Sequence, residues 1–300
     1  MKFIVFSPSY TPNSGGVIVL HKLCHLLREF QQDAYIMPLF KERMISFKKP
    51  KTLLTLINDA RRYYFSKFKT NGDFNTPIAD VFDKDNDVVI YPDNILGNPL
   101  GAKNIVRWYL HTPGRFTHNL ATFGENELYF KFDDGLVRDF DAPDAKLSKT
   151  ILNILHIPAC YKNVNNKDRA GYAYSVRKGI GKKLDSHPSD AICIDGLDHD
   201  EIAEIFNNVE FFISYDVYSA YSTFAVISGV KSIVIPERNV PRNQWYPDID
   251  NQLGIAYGFS DLDRAILTVP NKLKLLEKKE EASRNSVKKF ISEVQEHFVV

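Results

Sequence analysis

Apolar and polar residues alternate in blocks between residues 211 and 237, FFISYDVYSAYSTFAVISGVKSIVIPE. One short apolar run occupies residues 211–213, and a second, rich in β-branched side chains, occupies residues 232–236. Between them, apolar side chains recur at helical spacing, as at Ala220 and Phe224. This order predicts a strand, a turn, a helix and a second strand, which form a βαβ unit with a right-handed crossover.

The same alternation continues toward the middle of the chain. Strands are predicted at residues 172–176 and 191–194, and a helix is predicted at residues 199–207. Asp198 can cap that helix, and Glu201, three residues on, completes a capping box. Strands and helices that alternate at this spacing are typical of a parallel, doubly wound sheet.

The first half of the chain shows both kinds of pattern as well. A helix is predicted at residues 17–30, where apolar side chains share one face. Strand patterns occur at residues 3–6, 34–38, 88–91 and 104–110, and two further apolar runs occur at residues 127–132 and 151–157. These patterns predict a second α/β domain before the one described above.

A short polar segment at residues 159–167 separates the two halves, so we expect one domain at residues 1–160 and another at residues 161–300. A short helix is predicted after Ser260, and a long, highly charged helix at residues 271–298. The apolar face of the long helix is too interrupted for sustained heptads, although a coiled-coil contact is an alternative.

Composition narrows the classes of protein to which the chain can belong. The formal net charge of +1 argues against an affinity of the whole chain for nucleic acid. Cys24, Cys160 and Cys193 are widely spaced and form no CxxC pair, so we expect reduced, structural cysteines. The first residues lack the features of a signal peptide, and no apolar run is long enough to span a bilayer. We therefore expect a cytoplasmic protein.

Polar side chains follow the predicted strand at residues 211–213. Asp216, Tyr218, Ser219 and Ser222 would lie outside the carboxyl end of that strand, where open parallel sheets bind ligands. The helix would start near Ser219, so its free N–H groups and positive dipole end would face the same crevice. The arrangement predicts an anion site, with a phosphate as its natural occupant.

Arg177 and Lys178 follow the predicted strand at residues 172–176, on the same edge of the sheet. Two adjacent cations beside a helix N-terminus would form a good clamp for a diphosphate. The surrounding RKGIGKK does not fit the Walker pattern. A solvated basic turn is the alternative interpretation.

The first half offers candidates at two strand ends. Gly15 and Gly16 stand at the mouth of the helix at residues 17–30, where they allow a ligand to approach the backbone, or simply allow the chain to turn. His111 stands at the carboxyl end of the strand at residues 104–110, before a Pro/Gly turn. It is a candidate site residue, and a structural histidine is the alternative.

Residues 41–69 combine many lysines and arginines with interleaved apolar and aromatic side chains. Such a segment can rest on an anionic membrane surface, with its rings at the headgroup level. The alternative is a solvated helix whose apolar stripe faces its own domain.

Together, the two Rossmann-like halves, the glycine pair, the Arg/Lys pair and the strand–helix phosphate site resemble the GT-B glycosyltransferases. Three segments look like those of bacterial enzymes that build surface polysaccharides. They are GNPLGAKNIVRWYLHTPG, GIAYGFSDLDRA and the segment at residues 214–237. The resemblance implies two parallel sheets facing a central cleft. It also implies a terminal helix that returns to the first domain.

The resemblance implies transfer of a sugar from a nucleotide-sugar donor, of UDP or GDP type, to a glycan or lipid-linked acceptor. The site of action would be the cytoplasm or the inner face of the membrane. No DxD metal-binding motif is evident, and Asp248 and Asp250 come nearest to one. Neither a metal nor another cofactor is therefore expected. Retention and inversion at the sugar carbon both remain open.

The resemblance also implies residue roles. Arg177 and Lys178 match the basic pair that holds the donor diphosphate, and His111 looks like the first-domain histidine that approaches the donor sugar. Asp216 stands where many retaining members carry the first Glu of an E-x7-E motif. The remaining donor-binding residues implied are Gly15, Gly16, Tyr218, Ser219, Ser222 and Thr223.

The second Glu of that motif is missing, because Phe224 occupies its position. Glu237, after the next strand, is its expected substitute. The missing Glu also supports an alternative function, a non-catalytic regulatory or assembly protein that binds a nucleotide or nucleotide sugar.

Overall fold

The computed structural model describes residues 1–12, 14–39, 68–79, 81–114, 124–133, 137, 146–182, 185–246 and 248–298. The chain forms two compact units. The first comprises Met1–His156 and Glu280–Val300, and the second comprises Ile157–Lys279.

A parallel sheet of six strands forms the centre of the first unit. Its strands are β1 (Phe3–Ser7), β2 (Ala34–Pro38), β3 (Val88–Pro92), β4 (Asn104–Tyr109), β5 (Leu128–Lys131) and β6 (Lys146–Ile151). They lie in the order β2-β1-β3-β4-β5-β6, with every pairing parallel. Helix α1 (Gly15–Glu29) follows β1.

Both faces of this first sheet are covered. Phe3 and Val5 of β1 belong to one apolar core, whereas Ile4 and Phe6, which point to the opposite face, belong to another. Parallel sheets are buried in this way, which explains why their strands read as continuous apolar runs rather than alternating ones.

A second parallel sheet, of five strands, forms the centre of the second unit. Its strands are β7 (Tyr172–Ser175), β8 (Ile192–Cys193), β9 (Phe211–Ser214), β10 (Lys231–Val234) and β11 (Ile255–Tyr257), in the order β11-β10-β9-β7-β8. Its helices are α2 (His199–Asn208), α3 (Ala220–Ile227) and α4 (Arg242–Trp245). Helix α5 (Leu262–Phe298) begins in this unit, and its residues from Glu280 onward belong to the first unit. The predicted α/β class with two parallel sheets is confirmed.

Local sequence signals account for two of these elements. The predicted βαβ unit is β9, α3 and β10, whose strands are adjacent and parallel. The capping box of α2 is also present: the Glu201 N–H donates to the Asp198 carboxylate, and the Asp198 N–H donates to the Glu201 carboxylate, both at 2.9 Å.

The last strand of the first sheet lies earlier than the apolar run at residues 151–157. The observed strand is β6, KLSKTI, which is paired on one side only, with β5. Most of its side chains are exposed or half-buried, so its sequence alternates with polar residues and lacks a continuous apolar run. Leu152 and Ile154 are nevertheless buried in the core of the first unit, in a segment without strand pairing.

The C-terminal region is one helix where the pattern predicted two. Helix α5 begins at Leu262 and continues through Pro270 to Phe298. A proline inside a helix removes one backbone hydrogen bond, which made a break the sequence-based expectation. The helix nevertheless continues, and it is buried on both sides of the proline, at Ala265 and at Phe290.

Two further findings concern the membrane. None of the helices in the described part of the chain combines the length and apolar character needed to cross a bilayer. Most of the basic segment at residues 41–69 lies outside the described residues. Lys69, at its end, is described, and its N–H donates to Ser9 Oγ at 2.8 Å.

Candidate functional site

The turn after β7 carries the two candidate cations of the second unit. Residues Arg177–Gly179 form a single 3₁₀ turn, and Arg177 has a φ of 39°, a left-handed conformation that is costly for a residue with a side chain. The carboxylate of Asp195 holds this turn. It accepts hydrogen bonds from Ser175 Oγ at 2.6 Å, Val176 N at 2.8 Å and Arg177 N at 3.1 Å.

Arg177 reaches the beginning of α3. The central carbon of its guanidinium lies 5.2 Å from the centroid of the Tyr221 ring, in the first turn of that helix. Ser219 caps the helix, as the sequence predicted for its start, and its Oγ accepts from Tyr221 N at 3.3 Å. Burial raises the pKa of Tyr221, and the Arg177 charge opposes that shift. A cation therefore lies beside the positive end of a helix, which favours an anionic ligand there.

The two cations that follow β7 differ in their surroundings. Both residues are exposed, and the guanidinium of Arg177 lies over the ring of Tyr221. A third cation of the same loop, Lys182, lies further in and donates to the carbonyl of Ile235 at 2.8 Å. Lys182 was not singled out from the sequence, because RKGIGKK contains four basic residues with no sign of which one folds inward.

The charge of Lys182 interacts with those of two carboxylates, Glu237 and Asp216. Burial is the largest influence on Lys182 and lowers its pKa, while the charges of Glu237 and Asp216 raise it. Asp216 is buried, and its Oδ1 accepts from Tyr218 N at 3.1 Å. Glu237 is exposed, after the end of β10. An ammonium and two carboxylates thus share the carboxyl edge of the second sheet.

Aromatic residues hold the loop at this edge. Tyr218 donates from its hydroxyl to the carbonyl of Trp245 at 3.1 Å, and Trp245 Nε1 donates to the carbonyl of Val217 at 2.8 Å. The Tyr257 hydroxyl accepts from Glu237 N at 3.1 Å. Tyr218 therefore has a positioning role in this fold, although more than half of its surface is exposed.

Ser222 and Thr223 lie in the first turn of α3. Thr223 is half-buried. Ser222 is 2% exposed, and its Oγ has no hydrogen-bond partner within the described part of the chain. Such a hydroxyl is unusual because burial without a partner costs free energy.

The first unit brings its three candidate residues into one cavity of ≈ 610 Å³. Gly15 and Gly16, at the start of α1, line it together with His111, which follows β4. A Cβ added to Gly16 would lie 3.3 Å from Leu110 Cδ1. The glycine therefore permits close packing of the first turn of α1 on the residue that follows β4. The acidic residue of this cavity is Asp93, which follows β3 and was not selected from the sequence.

Asp93 and Asp195 both lie just after predicted strands, at residues 88–91 and 191–194, so both carried the same positional signal, although it does not indicate the partners of Asp195. Asp93 belongs to the PDN motif that ends a buried strand, the same kind of position that drew attention to Asp216 and His111. Asp195 follows the two-residue strand β8, and its partners are backbone groups after β7. Only the pairing of those strands brings them together.

No group of three or more His, Cys, Asp or Glu side chains suited to a metal ion occurs among the residues that the structure describes. Asp248 and Asp250 are the residues that come nearest to a DxD motif. The Asp248 carboxylate accepts a hydrogen bond from Asp250 N at 3.0 Å and so caps a 3₁₀ turn.

Comparisons with known proteins return structures but no sequence families. No protein-family model matches this chain, and no curated protein sequence matches it. Among solved structures, the glycotransferase of kitacinnamycin is 11% identical with a TM-score of 0.40, and the alignment covers 98% of each chain. MurG of Acinetobacter baumannii is 11% identical with a TM-score of 0.34, covering 99% of this chain and 100% of its own. At this level of similarity the residue assignments below rest on this chain's own geometry.

Proposed function

We propose that this protein is a glycosyltransferase that moves a sugar from a nucleotide-sugar donor to a glycan or lipid-linked acceptor. The observation that carries the proposal is the position of Arg177, whose guanidinium lies 5.2 Å from the Tyr221 ring at the amino end of α3. A diphosphate needs both features, a planar cation that forms two hydrogen bonds and a row of unpaired backbone N–H groups.

The leaving group of such a reaction is a nucleoside diphosphate, and its departure concentrates negative charge. Arg177, Lys182 and the amide end of α3 would stabilise that charge, because they are fixed before the reaction begins. Lys178 is exposed on the same turn and would add to the long-range attraction of the donor. Asp216 and Glu237, whose charges act on Lys182, would meet the donor on its sugar or ribose side.

The first test measures binding of UDP, GDP, CMP and dTDP by isothermal titration calorimetry, in the wild type and in Arg177→Ala. A charge-assisted hydrogen bond contributes about 1.5–3 kcal/mol, so the variant should bind the preferred nucleotide at least about tenfold more weakly. Lys274→Ala removes an exposed cation of α5 and should bind as the wild type does.

The second test measures release of the nucleoside diphosphate from the matching nucleotide sugars, with and without EDTA. Turnover that EDTA leaves unchanged would agree with the metal-independent reaction expected from the sequence. Binding without turnover would favour the alternative, a non-catalytic nucleotide-sugar-binding protein. Equal affinities of the wild type and Arg177→Ala would remove the diphosphate clamp from the proposal.

A further inference from the structure

Another cavity, of ≈ 390 Å³, lies entirely within the second unit. Its wall is formed by the end of α3, the start of β10, the residue before β11 and the first turns of α5. The proposed donor grip lies after the carboxyl ends of β7, β9 and β10, whereas this cavity lies at the amino ends of β10 and β11. In a parallel sheet these are opposite edges, so the cavity is separate from the donor grip. Cavities of this size accommodate small-molecule ligands.

The wall of this cavity is mainly apolar. Its apolar side chains include those of Val226, Val230, Leu262, Ala265, Ile266 and Val269. Ile266 is 42% exposed and Pro270, which also lines the cavity, is exposed, so the apolar surface continues from the interior to the mouth. Removal of such a surface from water is favourable, and a ligand with an apolar body would achieve it.

Lys231 supplies the charge in the wall, and that charge already has partners. Its ammonium lies 2.6 Å from the Glu210 carboxylate and 5.0 Å from the centroid of the Phe211 ring. An anionic ligand would have to displace Glu210, and an unpaired charge against apolar side chains is unfavourable. The cavity therefore suits a neutral ligand.

Ser232 supplies a polar group in the same wall. It is 1% exposed, and its Oγ has no hydrogen-bond partner among the residues that the structure describes. A buried hydroxyl without a partner costs free energy, and an oxygen atom of a ligand would provide the missing hydrogen bond. The ligand should therefore combine an apolar body with one uncharged oxygen-bearing group.

We infer that this cavity binds a neutral aliphatic chain that carries a hydroxyl or carbonyl group. The chain lies along the apolar wall, and its oxygen forms a hydrogen bond with Ser232. Such a chain can belong to a free molecule or to a lipid of a bilayer, since both present the same chemistry. The inference does not depend on the proposed glycosyl transfer.

The first test measures the affinity of the full chain for the alcohols from 1-pentanol to 1-decanol by isothermal titration calorimetry. Each added methylene should tighten binding about fourfold, because its burial contributes about 0.8 kcal/mol. The gain should stop once the chain fills the cavity, whereas non-specific adsorption would continue to increase with length. Octanoate, which is ionised at pH 7, should bind more weakly than 1-octanol.

The second test fills the cavity. Val269→Trp places a large ring inside it and Ile266→Trp places one at its mouth, so each should weaken binding of 1-octanol at least about tenfold, as if two methylenes were no longer buried. Leu267→Trp is the matched control on the same helix, because Leu267 is 79% exposed and does not line the cavity. Thermal unfolding shows whether each variant is folded, and Ile266→Trp decides the test if Val269→Trp is not.

The third test removes the hydroxyl of the wall. In Ser232→Ala the preference for 1-hexanol over hexane should fall about fivefold, the usual contribution of one hydrogen bond, while hexane binds as in the wild type. The ligand-free variant should be at least as stable as the wild type, because the hydroxyl that it loses has no partner among the described residues. A merely structural serine would change stability and leave the preference unchanged.

Vesicles of phosphatidylcholine distinguish the two sources of the chain. Binding of 1-octanol without binding of vesicles supports a free molecule, and vesicle binding that Ile266→Trp abolishes supports the chain of a bilayer lipid.

Three results would overturn the inference. They are a wild type that does not bind 1-octanol, wild-type affinity in the folded Trp variants of the wall, and an unchanged preference for 1-hexanol in Ser232→Ala. Nucleotide binding should be the same in all of these variants, so the outcome leaves the proposed function to be judged by its own tests.

Discussion

Charged side chains that look alike in the sequence have different environments in the fold. Lys178 is exposed, whereas Lys182, four residues on, is half-buried and is affected by the charges of Glu237 and Asp216. Among the carboxylates, Asp195 organises a turn through three hydrogen bonds, whereas Asp93 is half-buried in the wall of a cavity. Environment, rather than residue type, decides whether a charge binds a ligand, positions a loop or transfers a proton.

The raised pKa of Asp93 predicts a pH-dependent cost to stability. Its folded-state pKa of about 6 lies above the ordinary value of 3.8, so the protonated group favours the fold at low pH, and this contribution is lost as the pH rises through about 6. Ionised at pH 8, the group should cost about 3 kcal/mol.

Asp93→Asn should therefore be more stable than the wild type at pH 8 and about equally stable at pH 4. Urea unfolding of both proteins at the two pH values measures the difference. Glu125→Gln, an exposed change in the same unit, should show no such pH dependence. An Asp93→Asn variant that is less stable at pH 8 would contradict the assignment of burial as the dominant influence.

At the scale of elements, the pattern and the fold differ at β6, one edge of the first sheet. Buried strands such as β1 and β3 stand out because both faces are covered, whereas β6 is a polar edge strand.

The turn after β7 lies in close contact with Tyr215. A Cβ added to Gly179 would lie 2.5 Å from the carbonyl carbon and 2.7 Å from the Cβ of Tyr215, just beyond β9.

Gly179→Ala should consequently force the turn away from Tyr215. Overpacking against backbone typically costs about 1–3 kcal/mol, and the displaced turn would carry Arg177 away from Tyr221. We expect lower stability of the second unit and weaker nucleotide binding, measured by thermal unfolding and calorimetry. Gly181→Ala is the matched control, because a Cβ there meets nothing within 4 Å. Equal behaviour of the two variants would contradict the close approach.

At the scale of the whole molecule, the C-terminal part of α5 packs into the apolar core of the first unit. Phe290 of α5 is fully buried, with its ring centroid 4.8 Å from that of Phe130 and 6.2 Å from that of Phe3. Glu293 of the same helix accepts hydrogen bonds from the hydroxyls of Ser148 and Thr150 on β6. The first unit is therefore discontinuous in sequence, and it needs the last residues of the chain to be complete.

Phe290→Ala should destabilise the first unit by about 3–5 kcal/mol through the cavity it leaves. The two tryptophans separate the units, since Trp108 lies in the first and Trp245 in the second. With 5-fluorotryptophan labelling, the ¹⁹F signal of Trp108 should report unfolding at lower urea, while that of Trp245 should not move. Lys289→Ala, an exposed neighbour, should shift neither signal. A shift of both signals by the same amount in Phe290→Ala would show that the units unfold together.

The sequence by itself determined the buried strands, the βαβ unit and the helix starts at Asp198 and Ser219, because apolar periodicity and capping depend on residues close in the chain. The tertiary structure alone decided that β6 forms the edge of its sheet, that α5 continues through Pro270, that Lys182 is half-buried and that Asp93 lies in the wall of a cavity. Those outcomes depend on strand pairing and on packing between residues far apart in sequence. A local pattern records neither.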